Sequence, residues 1–176
     1  MEGSEIPVAA NICASRDLMA EYLNIQPHEL TAKLLAAIEH PTKPKQTSSP
    51  PCFEVAEDRV DLNQLPLLLH AEKDGGKYIS SAIVIAHHPD LGQNVSFHRL
   101  MQIGKDELAI RIVPRHLHTI LEKSGGELPV AICVGNSPNV LLAGACSVEL
   151  GRDELEIANT LKPLTVAKCA EANCFV

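Results

Sequence analysis

The stretch Ser81-Ala-Ile-Val-Ile-Ala-His-His-Pro-Asp-Leu-Gly-Gln-Asn-Val-Ser-Phe-His-Arg99 decides how this chain folds. Its first six residues form an almost continuous apolar run, which predicts a buried strand. His88-Pro-Asp-Leu-Gly92 holds the residue types that reverse a chain. From Val95 to Ile103 the sequence returns as a second strand. The β-rich run starts at Tyr78, after a turn at Lys73-Asp-Gly-Gly76, and Leu108 to Val113 supplies a third strand. From Phe53 onward the pattern is a meander with polar turns and interspersed helices.

Moving outward, Arg115 to Lys123 suits a helix closed by Gly125-Gly126, and Pro129 to Val134 a buried strand. Asn139 to Ser147 reads as an apolar helix, Asp153 to Leu161 as another, and Leu164 to Lys168 as the last strand. The chain stops at Cys-Phe-Val176 with no closing element in its pattern. Before the meander, Ser15 is the N-cap of a short helix ending at Leu23. A second helix starts at Pro27 and runs to about His40, with Leu30, Leu34, Ala37 and Ile38 on one face. Pro41 to Pro51 holds four prolines among Ser, Thr and Lys and reads as an extended linker. The expected division is a helical segment with linker over residues 1–51 and one domain over residues 52–176.

The 176 residues are enough for one domain with a core, and 45% hydrophobic with 21% charged content is ordinary for a globular protein. A net charge of −7 without a basic cluster argues against a nucleic-acid partner, and 3% aromatic content against base stacking. Apolar runs fall far short of a membrane span. Met-Glu-Gly-Ser-Glu lacks the basic and apolar regions of a signal peptide, so a cytoplasmic location is expected. The six cysteines form no C-x-x-C pair and read as reduced thiols, with Cys133 and Cys146 as core fillers.

Asn94, His116 and Glu154 offer an amide oxygen, an imidazole nitrogen and a carboxylate from separate elements. This mixed, mostly hard set suits Mn²⁺ or Mg²⁺ better than structural zinc and leaves room for a phosphate oxygen. Each residue also has an ordinary structural reason to stand where it does: a turn, a helix start and a first helical turn. Arg99 and Arg115 can clamp a carboxylate or phosphate, or can form surface salt bridges. In a strand, residues 94, 96 and 98 face one side and 95, 97 and 99 the other. Asn94 and Arg99 then serve one pocket only if the strand twists or Asn94 lies in the preceding turn. Asp74-Gly75-Gly76 and Gly135-Asn-Ser-Pro138 read first as a turn and a helix start, and His87 and His88 as solvent-facing residues beside a turn. No P-loop, G-x-G-x-x-G or G-x-S-x-G is present.

Several stretches together resemble the UbiD-type decarboxylases, the family that uses prenylated flavin mononucleotide. They are Val60-Asp-Leu-Asn-Gln-Leu-Pro66, Lys73-Asp-Gly-Gly-Lys-Tyr-Ile79, Asn94-Val-Ser-Phe-His-Arg99 and Pro114-Arg-His116. Leu128-Pro-Val-Ala-Ile132 with Gly135 and Pro138, and Gly151-Arg-Asp-Glu-Leu155, extend the likeness over nearly the whole chain. The resemblance implies an α+β fold, a split β-barrel flavin-binding-like domain with flanking helices after a short helical arm. It implies that Asn94, His116 and Glu154 bind the divalent metal, Mn²⁺ or Mg²⁺, that bridges to the phosphate of prenylated FMN, with K⁺ as a further ion. Ser80, Ser96 and Arg115 resemble cofactor-contacting positions, and Arg99 the catalytic arginine that orients the substrate carboxylate.

The activity so implied is reversible, non-oxidative decarboxylation of an aromatic or α,β-unsaturated carboxylic acid, by an enzyme that is a homo-oligomer in its full-length form. The family's two catalytic glutamates belong to an E-G-P-F-G-E-like segment that these residues do not contain. The chain therefore reads as the cofactor- and metal-binding core of a longer enzyme. The alternative is a flavin- or phosphate-binding module without turnover.

Overall fold

The computed structural model describes residues 6–176, so the acidic start Met1–Glu5, on which the expected absence of a signal peptide rests, lies outside them. Helix α1 (Arg16–Leu23) begins where predicted, with Ser15 Oγ accepting hydrogen bonds from the amides of Asp17 (3.1 Å) and Leu18 (3.5 Å). The second helical run opens as a 3₁₀ turn (Pro27–Glu29) and becomes α2 (Leu30–Glu39). Both helices pack into the main core through Met19, Leu23, Leu30 and Ala37.

The β-structure is split among three small sheets that do not close into a barrel among the described residues. With the flanking helices this is the α+β arrangement expected. The central sheet has the order β4 (Gly92–Phe97), β3 (Ile83–His88), β7 (Val130–Cys133), all antiparallel. A second joins β2 (Tyr78–Ile79), β5 (Leu100–Gln102) and β6 (Leu108–Ile110). The third joins β1 (Lys45–Thr47), β8 (Thr165–Cys169) and β9 (Cys174–Phe175), with β1 parallel to β8.

β3 explains the apolar run. Ile83 and Ile85 enter one core with Val95, Leu155, Ile157 and Val166, while Val84 and Ala86 enter another with Ile79, Leu100, Leu117 and Ile120. A strand covered on both faces has no polar face to alternate with. Helices α3 (His116–Lys123), α4 (Pro138–Gly144) and α5 (Glu154–Leu161) flank this strand and its neighbours.

Four expectations need correction. The strand read from Val95 to Ile103 is two strands in different sheets, broken at His98 and Arg99. Its side-chain pattern runs on across the break, so periodicity alone hides the change of partner. Pro41 to Pro51 is not a free linker, because Lys45–Thr47 pairs with Thr165–Ala167. Cys174–Phe175, where the pattern shows no element, form strand β9, paired with Lys168 and Cys169 of β8. β7 is an outer strand rather than a buried one, with Ile132 42% exposed.

Candidate functional site

One end of β4 is unusually polar for its burial. Asn94 and Ser96 share a strand face by the two-residue period, and His98 continues that face just past the strand end. Against this face lie the starts of α3 and α5 and the segment that follows α4. Together they wall a cavity of about 700 Å³ that Asn94, Ser96, His98, Arg115, His116 and Glu154 line with Phe97 and Cys146. Gly144 at the end of α4 also lines it, and a β-carbon there would stand 2.9 Å from the Ile83 side chain. The clash of a larger residue there would be relieved by a shift of the Ile83 side-chain end.

Glu154 is the first residue of α5 and only 2% exposed. Its Oε1 accepts from Asn94 Nδ2 at 3.2 Å and its Oε2 from the Val95 amide at 2.8 Å. Burial pushes its pKa up to about 7, and the neighbouring Asp153 adds to the rise; bonds from its own amide, Val95 and Asn94 oppose it. Asp153 caps α5, its Oδ1 accepting from the Leu155 amide at 2.9 Å, and burial raises its pKa too. Gln93 Nε2 lies 3.2 Å from each Asp153 oxygen, and Gln93 Oε1 accepts from the Phe175 amide at 2.7 Å. This buried amide ties the start of α5 and strand β9 to β4.

The structure brings Asn94, Ser96, Arg115, His116 and Glu154 together, on β4, at the start of α3 and at the start of α5. It does not bring Arg99 or Ser80 to the cavity wall. Arg99 is exposed beyond the end of β4 and outside the cavity lining. Ser80 is exposed, with its Oγ 3.3 Å from His70 Nε2. Asn94 lies within the strand and not in the preceding turn. The ion pairs among the described residues, Lys105 with Asp61 and His118 with Glu122, include neither Arg99 nor Arg115.

Three further residues depart from their sequence reading. Cys146 is not a core filler but lines the cavity; burial raises its thiol pKa, and the nearby Glu154 adds to the rise. His87 and His88 are half-buried, and His87 Nδ1 is enclosed without a hydrogen-bond partner. His98, just past the end of β4, joins Asn94 and Ser96 in the cavity lining. Its ring bridges Ser96 Oγ (3.1 Å) and the Arg111 carbonyl (3.3 Å). Burial lowers its pKa, against an opposing contribution from the Arg111 bond.

A divalent cation fits the donor chemistry of this wall. Among the described residues no three His, Cys, Asp or Glu side chains gather into a metal cluster. The candidate set has two such groups, His116 and Glu154, with the Asn94 amide oxygen as the third. Glu154, buried with no cationic partner among the described ion pairs, is the kind of carboxylate a cation would stabilise.

Comparison with known proteins follows the same lines. Residues 43–176 match the family model described as UbiD, 3-octaprenyl-4-hydroxybenzoate carboxy-lyase Rift-related domain. An anhydromevalonate phosphate decarboxylase of Methanothermobacter thermautotrophicus is 42% identical over 164 residues, which cover 91% of this chain and 38% of that protein. The UbiD-class enzyme HmfF of Pelotomaculum thermopropionicum, solved in complex with FMN, superposes with a TM-score of 0.92 at 37% identity. That match covers 99% of this chain and 42% of that one. The vanillic acid decarboxylase of Sedimentibacter hydroxybenzoicus in closed form gives a TM-score of 0.90 at 25% identity, over 99% of this chain and 41% of that one. This chain thus belongs to the UbiD family, whose matched members named here are decarboxylases, and it spans about two fifths of their length.

Proposed function

We propose that this chain supplies the cofactor- and metal-binding part of a UbiD-type carboxy-lyase, which removes CO₂ reversibly from an aromatic or α,β-unsaturated acid. The observation that carries this reading is the meeting of Asn94, His116 and Glu154, from three separate elements, on one cavity wall. One HmfF structure contains FMN and an evolved dimeric form contains prFMN, which supports the same cofactor here.

In this reading Asn94 Oδ1, the His116 imidazole and the Glu154 carboxylate hold Mn²⁺ or Mg²⁺, and the cation favours the ionised form of Glu154 against the push of burial. Arg115 at the mouth of α3 and the Ser96 hydroxyl bear on the phosphate end of the cofactor, where a guanidinium and a hydroxyl are suited to phosphate oxygens. Prenylated FMN, when bound, supplies an electron sink for the carbanion that loss of CO₂ leaves. Arg99 holds the substrate carboxylate, whose planar shape its forked guanidinium matches.

A second reading, a flavin- or phosphate-binding module without turnover, is favoured by one observation: Arg99 stands outside the cavity lining. The test expresses the chain beside a prenyl-flavin synthase and records its absorbance and metal content. Bound flavin with stoichiometric metal is expected, and both should fall together in Asn94→Ala and His116→Ala. Retention of both in either variant would sink the site assignment. A decarboxylation assay on the loaded chain then separates enzyme from carrier.

A further inference from the structure

The hydrogen bonds along the cavity wall have a direction, and the far end sets it. Ser96 Oγ lies 3.0 Å from Asn94 Oδ1 and 3.1 Å from His98 Nε2, with a single hydrogen to give. On the other side of the imidazole, His98 Nδ1 is 3.3 Å from the Arg111 carbonyl oxygen. A carbonyl oxygen only accepts, so Nδ1 must carry the ring hydrogen. A neutral imidazole then has a bare Nε2, and its partner is the Ser96 hydroxyl. The orientation of Asn94 is fixed as well. Glu154 Oε1, when ionised, only accepts, so Nδ2 faces it at 3.2 Å and Oδ1 is the atom turned to Ser96.

We infer that His98, held as the Nδ1–H tautomer by Arg111, draws the Ser96 hydroxyl to its own Nε2 and keeps Asn94 Oδ1 free to ligate a divalent cation. The inference rests on the proposed role of Asn94 as a ligand. An imidazole nitrogen is a stronger acceptor than an amide oxygen, so the single Ser96 hydrogen goes to His98. With the acceptor at 98 removed, that hydrogen turns to Asn94 Oδ1, occupies one of its lone pairs and reduces its donation to a metal. Asn94 is 4% exposed, so Ser96 is a neighbour it cannot easily exchange for water. His98 acts through Ser96 and is a positioning residue. The burial that disfavours its charged form agrees with a neutral ring.

The test titrates the 176-residue chain with Mn²⁺ in the absence of flavin and follows free Mn²⁺ by electron paramagnetic resonance. His98→Phe keeps a ring in place but offers no acceptor, and Mn²⁺ should bind about fivefold more weakly, the worth of one net hydrogen bond. Ser96→Ala in the same chain should restore the affinity, because the competing hydrogen is gone. A packing defect left by His98→Phe would not be repaired by deleting a hydroxyl. Unchanged affinity in His98→Phe, or no recovery in the double variant, overturns the inference. A second measurement needs no variant: ¹⁵N chemical shifts of the imidazole report which nitrogen bears hydrogen. A protonated Nδ1 with a bare Nε2 supports the inference, and the opposite tautomer overturns it. If the unaltered chain takes up no Mn²⁺, the ligand assignment fails, and the tautomer alone then decides the direction of the Ser96 bond.

Discussion

β3 and β4 pair residue by residue, with Val84 opposite Ser96 and Ala86 opposite Asn94. Both are largely buried, yet for opposite reasons. β3 is apolar on both faces and joins the two cores. β4 puts Val95 into a core but keeps Gln93 and Asn94 buried as amides, each bonded to a carboxylate at the start of α5. Burial of β3 yields stability directly through area removed from water. Burial of the β4 amides gains little on balance, because each exchanges bonds to water for bonds to protein. What β4 gains is fixed positions for polar atoms at a cavity wall. Adjacent strands of one sheet thus divide the tasks of holding the fold and lining the cavity with polar atoms.

The largest test of that division is truncation in β3. Ile85→Ala, at a position 2% exposed, should lower unfolding free energy by about 2–5 kcal/mol in urea titrations. A loss below about 1 kcal/mol would mean that β3 is not the shared support described here.

Next comes the pH dependence stored beside β4. Glu154 has its folded pKa raised from 4.5 to about 7, so on raising pH the unfolded chain loses this proton first. In chelator-treated protein its contribution should therefore make stability fall between about pH 4.5 and 7, by an upper bound of about 3 kcal/mol. Glu154→Gln should flatten this fall, as measured by urea unfolding across that range. An equally steep fall in the variant would place its cause elsewhere.

The smallest effect lies far from both strands. Ser15→Ala removes the cap of α1 and should cost about 1 kcal/mol in the same unfolding assay. It should leave Mn²⁺ binding unchanged, whereas a loss of binding would couple the helical arm to the cavity.

The helices were legible because their signals are local. Ser15 and Asp153 cap through side chains within three residues of the amides they meet, and Gly125 and Gly126 take positive φ after α3. The buried strand was legible because five apolar residues in succession at 82–86 leave no polar face. The break at His98 and Arg99 was not legible, since a strand's side-chain pattern carries no record of which neighbour it bonds. β1 and β9 are three and two residues long, too short for periodicity to register.

By itself the sequence determined the helix starts and the doubly buried strand, and it singled out Asn94, His116 and Glu154 as a candidate set. The two-residue period put Asn94 and Ser96 on one face of the strand but left the place of Arg99 open. Only the tertiary structure decided that Glu154 reaches Asn94 across 60 positions of chain, and that Gln93 and Asp153 hold the start of α5 in place. Only there, too, does Cys146 turn from a core filler into a cavity residue. The reason is physical: capping and alternation act within a few residues. Which buried polar atom meets which is set by the packing of distant elements, and by the cost of leaving an enclosed donor without an acceptor.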